Sequence, residues 1–453
     1  MGDRRENPPT DDPAVTAFSR RAVLGSASLA AMAAVGLPAE GRTAAPHKAG
    51  AVSKPRTYAQ AWRKYLDALE QARATIMTDP ACADPKARDA ALYLPTQMGT
   101  ASFYMHLAPH MGHPLLNRIA VGEPVGLNWG MPNPDFDYRF TYLDGRRRYR
   151  IYGPQKSTAA FFDLIAFNGY FVDNTKTYFH GALNDFNGPG GGIELFLGPP
   201  GSGQNHVTLD PSEPHNVLTI REALEDWQAQ QPTPLRIECV DAPETLGPFL
   251  YPEADLVARL ERATDLVGAT IKRSMAAYKE NLDVAGGKWN AFGLQEPSAQ
   301  RMKNNGHPEH TMSQCIYDVP KGQSLVIELE MPASVVYWGI QMADLWWRTT
   351  DYVWHQSSLN RKNAYFGPDG LFRAVVSHED PGIQNWLDPV DNDKGAILIR
   401  NYRAKGVRVA KTTLVPSGQV RQHLPADVPA FMPEQRRAQI AARTDGALRR
   451  FGY

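Results

Sequence analysis

Apolar positions recur along this chain with two different periods, and the switches between them divide it into segments. Trp62, Tyr65, Leu66, Leu69, Ala72 and Ile76 follow three- and four-residue steps, which predicts an amphipathic helix over Thr57–Thr78. Leu92, Met98, Phe103 and Leu107 mark a second helical stretch, Asp89–Leu107, with Pro95 as its kink or break. From Asn133 the period shortens to two. Phe136–Leu143 alternates, Asp144-Gly145 is a hairpin signal, and Tyr149–Tyr152 resumes the alternation. Short strands between Gly- and Pro-rich turns continue to about Val240. Leu256, Leu260, Ala263, Val267, Ile271, Met275, Tyr278 and Leu282 then form one helical stripe over Pro252–Leu282, with Pro252 at its start. Strands return at Ser324–Leu329 and Val335–Met342 and run to about Leu414. A basic helix, Pro433–Phe451, follows.

The two strand-rich regions resemble each other. His180-Gly181-Ala182-Leu183-Asn184 parallels Gln356-Ser357-Ser358-Leu359-Asn360, and Gly192–Leu197 parallels Gly370–Val375. Asn205-His206-Val207-Thr208 parallels Asn385-Trp386-Leu387-Asp388, and Ile220-Arg221 parallels Ile399-Arg400. Four pairs in the same order predict an internal duplication. The expected fold is a β-rich α+β protein with two jelly-roll-like β-sandwich units joined by a long helix, plus N- and C-terminal helices. The segments are a signal peptide (1–39), a linker (40–54), a helical segment (55–130), a first sandwich (131–250), a connecting helical segment (251–310), a second sandwich (311–420) and a C-terminal basic helix (421–453).

With 453 residues, 43% hydrophobic and 10% aromatic, the chain has material for more than one core. Its 48 basic and 48 acidic side chains balance, so no global charge draws it to nucleic acid. Three cysteines, none in a Cys-x-x-Cys pair, exclude a disulfide framework and suggest no metal site. The sharpest motif is Ser19-Arg20-Arg21-Ala22-Val23-Leu24 before an uncharged, Ala-rich run to Leu37. Paired arginines ahead of a short apolar stretch are read by the twin-arginine translocase, the expected partner during export. The expected address is periplasmic or secreted, with no stable membrane span in the mature protein.

Trp338-Gly339-Ile340-Gln341, Ser358-Leu359-Asn360, Asp369-Gly370 and Ser377-His378-Glu379-Asp380-Pro381-Gly382-Ile383-Gln384-Asn385-Trp386-Leu387-Asp388 resemble the bacterial family catalogued as domain of unknown function 1214. Asn133-Pro134-Asp135 and Tyr149–Gly153 are similar to the N-terminal half of the same proteins, related to the partner family numbered 1254. The resemblance spans roughly 55–450 and implies jelly-roll-like sandwiches with helical additions and an export signal; it brings no settled chemistry. The sequence departs from the family pattern after Asp388, where Val390-Asp391-Asn392-Asp393 replaces an expected Gly-His pair.

The densest polar string supplies the candidate catalytic pair, His378 and Asp380, since a His two residues from an Asp at a strand end can act as a base with its orienting carboxylate. Asn385, Asp388 and Arg400 join it as binding candidates, although Asn385-Trp386 also reads as a structural corner. Asn133 and Asp135, where the chain enters the first sandwich, can cap a turn or hold a ligand. Trp346, Trp347, Trp354 and His355 concentrate aromatic area in one expected hairpin. Consecutive Trp346 and Trp347 on a strand would face opposite ways, so at least one should lie in a cleft or interface. No metal ligands are assigned and the cofactor is open. Two functions fit: an exported enzyme acting on an envelope glycan, lipid or aromatic compound, or a non-catalytic ligand-binding or envelope-assembly protein using the same aromatic cleft.

Overall fold

The computed structural model describes residues 57–118, 127–170, 176–201, 203–242, 251–299, 301 and 306–452. Arg20, Arg21 and the linker lie outside them. All elements below belong to one unit, Pro55–Tyr453.

Helix α1 (Tyr58–Thr78) opens on a capping box, in which the Thr57 hydroxyl accepts from Gln60 N and the Gln60 side chain accepts from Thr57 N. Its buried stripe is Ala61, Tyr65, Ala72 and Ile76, whereas Trp62 is largely exposed. Helix α2 (Pro85–Ser102) begins four residues before the expected start. Asp84 caps Lys86 N and Ala87 N, and Pro85 takes the first helical position, where its missing N–H costs nothing. It does not break at Pro95, because Ala91, Leu94 and Met98 on either side are fully buried and hold it in line. A π turn, Phe103–Leu107, continues it.

Eight strands follow: β1 (Phe136–Leu143), β2 (Tyr149–Gly153), β3 (Phe162–Asn168), β4 (Thr177–Ala182), β5 (Ile193–Gly198), β6 (His206–Thr208), β7 (Asn216–Ala223) and β8 (Arg236–Cys239). They form two sheets, β1-β7-β3-β4 and β6-β5-β2-β8, packed over Ile151, Leu164, Leu195, Leu197, Leu218 and Ile220. Helix α3 (Glu253–Val284) leads to nine more: β9 (Phe292–Gln295), β10 (His310–Asp318), β11 (Gln323–Glu330), β12 (Tyr337–Ala343), β13 (Ser358–Asn360), β14 (Leu371–Ser377), β15 (Trp386–Leu387), β16 (Lys394–Tyr402) and β17 (Lys411–Pro416). Their sheets are β13-β12-β16-β10-β9 and β15-β14-β11-β17, closed over Ile327, Trp338, Ile340, Phe372, Ile397 and Ile399.

Setting β9 aside, β10 to β17 repeat the order of β1 to β8 strand for strand, down to the parallel pairs β5–β6 and β14–β15. Asn205 and Asn385 stand just before β6 and β15. Each accepts at its backbone carbonyl, from Phe196 N and Val375 N respectively, and each side chain donates to a nearby backbone carbonyl.

Strands β3 and β7 are buried on both faces because the sheet that contains them is covered twice. Its inner face closes the first sandwich. Outward-facing Tyr142, Ile165, Phe167 and Val217 meet α1, α2 and α3, and outward-facing Met312, Ile316 and Leu398 of the second sandwich join the same core. Where the sandwiches touch directly, Phe136, Phe161, Ala223, Tyr337 and Tyr402 pack together. Helix α4 (Pro433–Phe451) is basic, yet Arg436, Arg443 and Arg450 are buried and bind backbone carbonyls and Asp380. No helix among the described residues is long and apolar enough to cross a membrane.

Candidate functional site

Alternation along β16 sends Ile397 and Ile399 into the sandwich core and turns Leu398, Arg400 and Tyr402 outward. On β7, Ile220 faces inward and Arg221 outward in the same way. Register makes the two arginines equivalent. Arg221 lies opposite Tyr138 on β1, and Arg400 opposite Met312 on β10. All four line a cleft of about 420 Å³ between the outer faces of the two central sheets. Helix α3 adds Thr270, Lys272, Arg273 and Glu280 to its wall, and Trp129, Trp347, Arg301, His307 and His310 line it as well.

Three residues at the cleft have left-handed backbone: Gly130 (φ 73°), Met131 (φ 56°) and Trp347 (φ 64°). The last two are unfavourable conformations for residues with a Cβ, and such strain persists where surrounding contacts enforce it. Here the enforcing contacts are Met131 N–H donating to Trp347 O at 2.8 Å and Arg400 Nη2 donating to Met131 O.

The cleft is cationic. Arg221, Lys272, Arg273, Arg301 and Arg400 line it against one carboxylate, Glu280, which pairs with Arg273 at 3.4 Å. Arg273 also lies over the Trp347 ring, 4.7 Å from its centroid. Arg400 is 8% exposed, and its partners are neutral: Gln341 Oε1 at 2.8 Å and Met131 O. Arg301 likewise meets Gln295 O and His310 Nδ1, each at 3.3 Å, and burial pushes its pKa down to about 10. Since a guanidinium only donates, His310 Nδ1 accepts from it, and the neutral ring must carry its proton on Nε2. Burial, then the Arg400 and Arg301 charges, hold His310 well below its ordinary pKa, so the ring is neutral. Its Nε2–H is therefore a buried donor with no protein partner, on a residue that lines the cleft and stacks on Tyr402 at 4.1 Å.

Beside the cleft, His307 also belongs to a second cluster with Asp163, His180 and Glu309. His180 Nε2 is 2.9 Å from Asp163 Oδ2 and 3.0 Å from His307 Nε2, which is itself 3.3 Å from Asp163 Oδ2. Arg403 bridges the carboxylates, at 2.5 Å from Asp163 and 2.7 Å from Glu309. Burial alone would raise the Asp163 pKa, but hydrogen bonds from His180 and His307 and the Arg403 charge bring it to about 2. Burial pushes His307 down to about 4. These four are the residues placed to hold a metal among those described.

The sequence candidates scatter. His378 Nε2 donates to Val319 O at 2.9 Å and lies 3.2 Å from Asp393. Asp380 pairs with Arg436 of α4 and accepts from Gly382 N across its own turn. The two are thus committed to different partners, and Arg400 belongs to the cleft instead. Asn385 ties its corner, donating to Tyr365 O and Arg373 O. Asp388 holds His355 Nδ1 at 2.7 Å, and Trp354 is exposed. Asn133 and Asp135 are buried where the sandwiches meet, with Asp135 accepting from Trp227, Asn360 and Tyr337. Trp346 and Trp347 lie in a turn between β12 and β13, not on a strand; the polar Asp344 side chain caps that turn through Trp346 N and Arg348 N. Trp346 is fully buried with Nε1 donating to Ala87 O, and Trp347 reaches the cleft.

Fold and site together describe a pair of like-ordered β-sandwiches holding a cationic, aromatic-edged cleft between them. No protein-family model matches the chain, and no curated protein matches it. Among solved structures it is similar to an uncharacterised protein from Burkholderia cenocepacia, at TM-score 0.71 and 23% identity over 79% of this chain and 97% of that one. That likeness shows the fold alone. The VPA0106 protein from Vibrio parahaemolyticus aligns over 73% of this chain and 98% of its own, with 11% identity and a TM-score of 0.41, too loose to carry an argument.

Proposed function

We propose that the chain is an exported member of the family its motifs resemble, built by duplication of one sandwich, and that its cleft binds a small anion with an apolar or aromatic part. The carrying observation is Arg400, a buried guanidinium bonded only to neutral acceptors, beside the unpartnered Nε2–H of His310. Keeping a charge out of water without a counter-ion is costly, and a bound carboxylate or phosphate would offset that cost. Tyr138, Trp129, Trp347 and Met312 supply apolar wall for the rest of the molecule. This narrows the glycan, lipid and aromatic classes to their acidic members: uronates, fatty acids and aryl carboxylates. Equal strand order and the matched Asn205 and Asn385 corners support the duplication.

The binding test is thermal denaturation of tag-free mature protein with benzoate, a medium-chain fatty acid and glucuronate, each beside its neutral amide or alcohol. The proposal expects at least one anion to raise the melting temperature while its neutral counterpart does not; equal effects of both would overturn it. For export, Arg20→Lys with Arg21→Lys should leave the protein in the cytoplasm, and normal periplasmic recovery would reject that route.

A further inference from the structure

The structure assigns a second site beside the cleft: we propose that Asp163, His180, His307 and Glu309 bind one divalent first-row transition ion. This goes beyond the anion reading and stands on different groups, sharing only His307 with the cleft wall.

Spacing is the first argument. Ligand bonds of 2.0–2.1 Å in a tetrahedron place neighbouring donor atoms about 3.3 Å apart. Four of the six separations here are 2.9 and 3.3 Å from Asp163 Oδ2 to the two imidazoles, 3.0 Å between imidazoles, and 3.6 Å from His180 Nε2 to Glu309 Oε2, and all four donor atoms lie within 4.8 Å of one another.

Hydrogen bonding is the second. Both imidazoles and Arg403 crowd Asp163 Oδ2, while Oδ1 of the same carboxylate has no partner although the residue is only 1% exposed. If both rings donate to that oxygen, their N–H groups converge with the nitrogens 3.0 Å apart. A cation seated among them would take the lone pairs of Asp163 Oδ2 and of both imidazoles at once, and remove the need for two N–H groups to share one oxygen.

Arg403 fits as an outer-shell group. It spans both carboxylates, fixes their spacing and offsets their mutual repulsion, as groups around ligating carboxylates commonly do. Glu309 N–H lies 3.1 Å from His307 Nδ1, so the metal-free ring carries its proton on Nε2. Ligation by His307 moves that proton to Nδ1 and opens the Glu309 contact. Two imidazoles with two carboxylates suit zinc, iron or manganese more than a hard alkaline-earth ion.

The test uses the tag-free mature chain, stripped with a chelator and titrated with Zn²⁺ by calorimetry and with Co²⁺ by absorption spectroscopy. Expected are a single Zn²⁺ per chain, a Co²⁺ ligand-field band of low coordination number, and about tenfold or weaker binding in both His180→Ala and Glu309→Gln. His180 and Glu309 side chains are 19% and 43% exposed, so both variants should keep the wild-type circular dichroism spectrum. Absence of stoichiometric Zn²⁺ uptake by the wild-type chain, or undiminished uptake by the two folded variants, would overturn the site. Neither result bears on whether anions stabilise the cleft.

Discussion

Replacing Arg400 by Met separates a ligand-binding arginine from a structural one. In the folded protein Arg400 gives up hydration for two hydrogen bonds to neutral oxygens, Gln341 Oε1 and Met131 O. Such charge-assisted bonds contribute about 1.5–3 kcal/mol each, while the burial penalty of a guanidinium without a counter-ion is several kcal/mol. The two terms nearly cancel, so Arg400→Met should change stability by no more than ~2 kcal/mol in either direction. With an unfolding entropy of ~2.1 cal/mol/K per residue, a chain of this length shifts by about 1 °C per kcal/mol. Scanning calorimetry should therefore find the variant within ~2 °C of wild type. The anion response should change much more. A ligand at one hundred times its Kd stabilises by ~2.7 kcal/mol, or about 3 °C here. Losing one charge-assisted contact of at least ~2 kcal/mol weakens binding about 30-fold and cuts that shift to ~1 °C. A drop beyond ~5 °C without ligand would make Arg400 structural, and an undiminished anion shift would remove it from the site.

Three further outcomes are expected. Asp135→Ala leaves Trp227 Nε1–H without an acceptor and weakens the Tyr337 and Asn360 contacts, costing ~3–5 kcal/mol in denaturant unfolding, whereas the isosteric Asp135→Asn should cost under half as much. His378→Gln should retain both melting temperature and anion binding, because an amide can still donate to Val319 O; loss of binding alone would restore His378 to the site. His106, buried against Tyr142 and Tyr170, has its pKa lowered to about 3 chiefly by burial, then by Arg262 and Arg259. The unfolded chain binds that proton first, so stability is full above ~6.5 and falls by up to ~1.4 kcal/mol per pH unit towards 3. His106→Phe should flatten the melting profile over that range.

Local periodicity was enough to read α1, α3, α4 and strands β1, β2, β11 and β12, because the face each buries repeats every few residues. Pro95 misled, since what keeps α2 continuous is packing around Ala91 and Met98, which a local rule does not contain. The cleft was mostly illegible for a related reason. Tyr138, Arg221, Arg301, His310 and Arg400 come from distant parts of the chain and converge only through strand register and the docking of two sandwiches. Arg400 stands out in the sequence only as a member of the polar string that begins at His378, whose other members lie elsewhere. A usable signal was present, however: Arg400 after Ile397-Leu398-Ile399, and Asp163 between Phe162 and Leu164, are charges inside otherwise apolar central strands. The His-x-Asp string drew notice by density, yet its members tie a turn, a backbone carbonyl and α4.

The like-ordered sandwiches meet along Phe136, Phe161, Tyr337 and Tyr402, and the two strand walls of the cleft depend on that meeting. Neither half alone forms that cleft. An occupant touching Arg221 on one side and Arg400 on the other would bond to both halves at once and tie their unfolding together. With the cleft filled, heat should melt the protein in a single sharper transition. With it empty, the halves are held by their shared apolar contacts alone, a less sharp transition is expected, and its breadth becomes a gauge of occupancy that needs no knowledge of the ligand's identity.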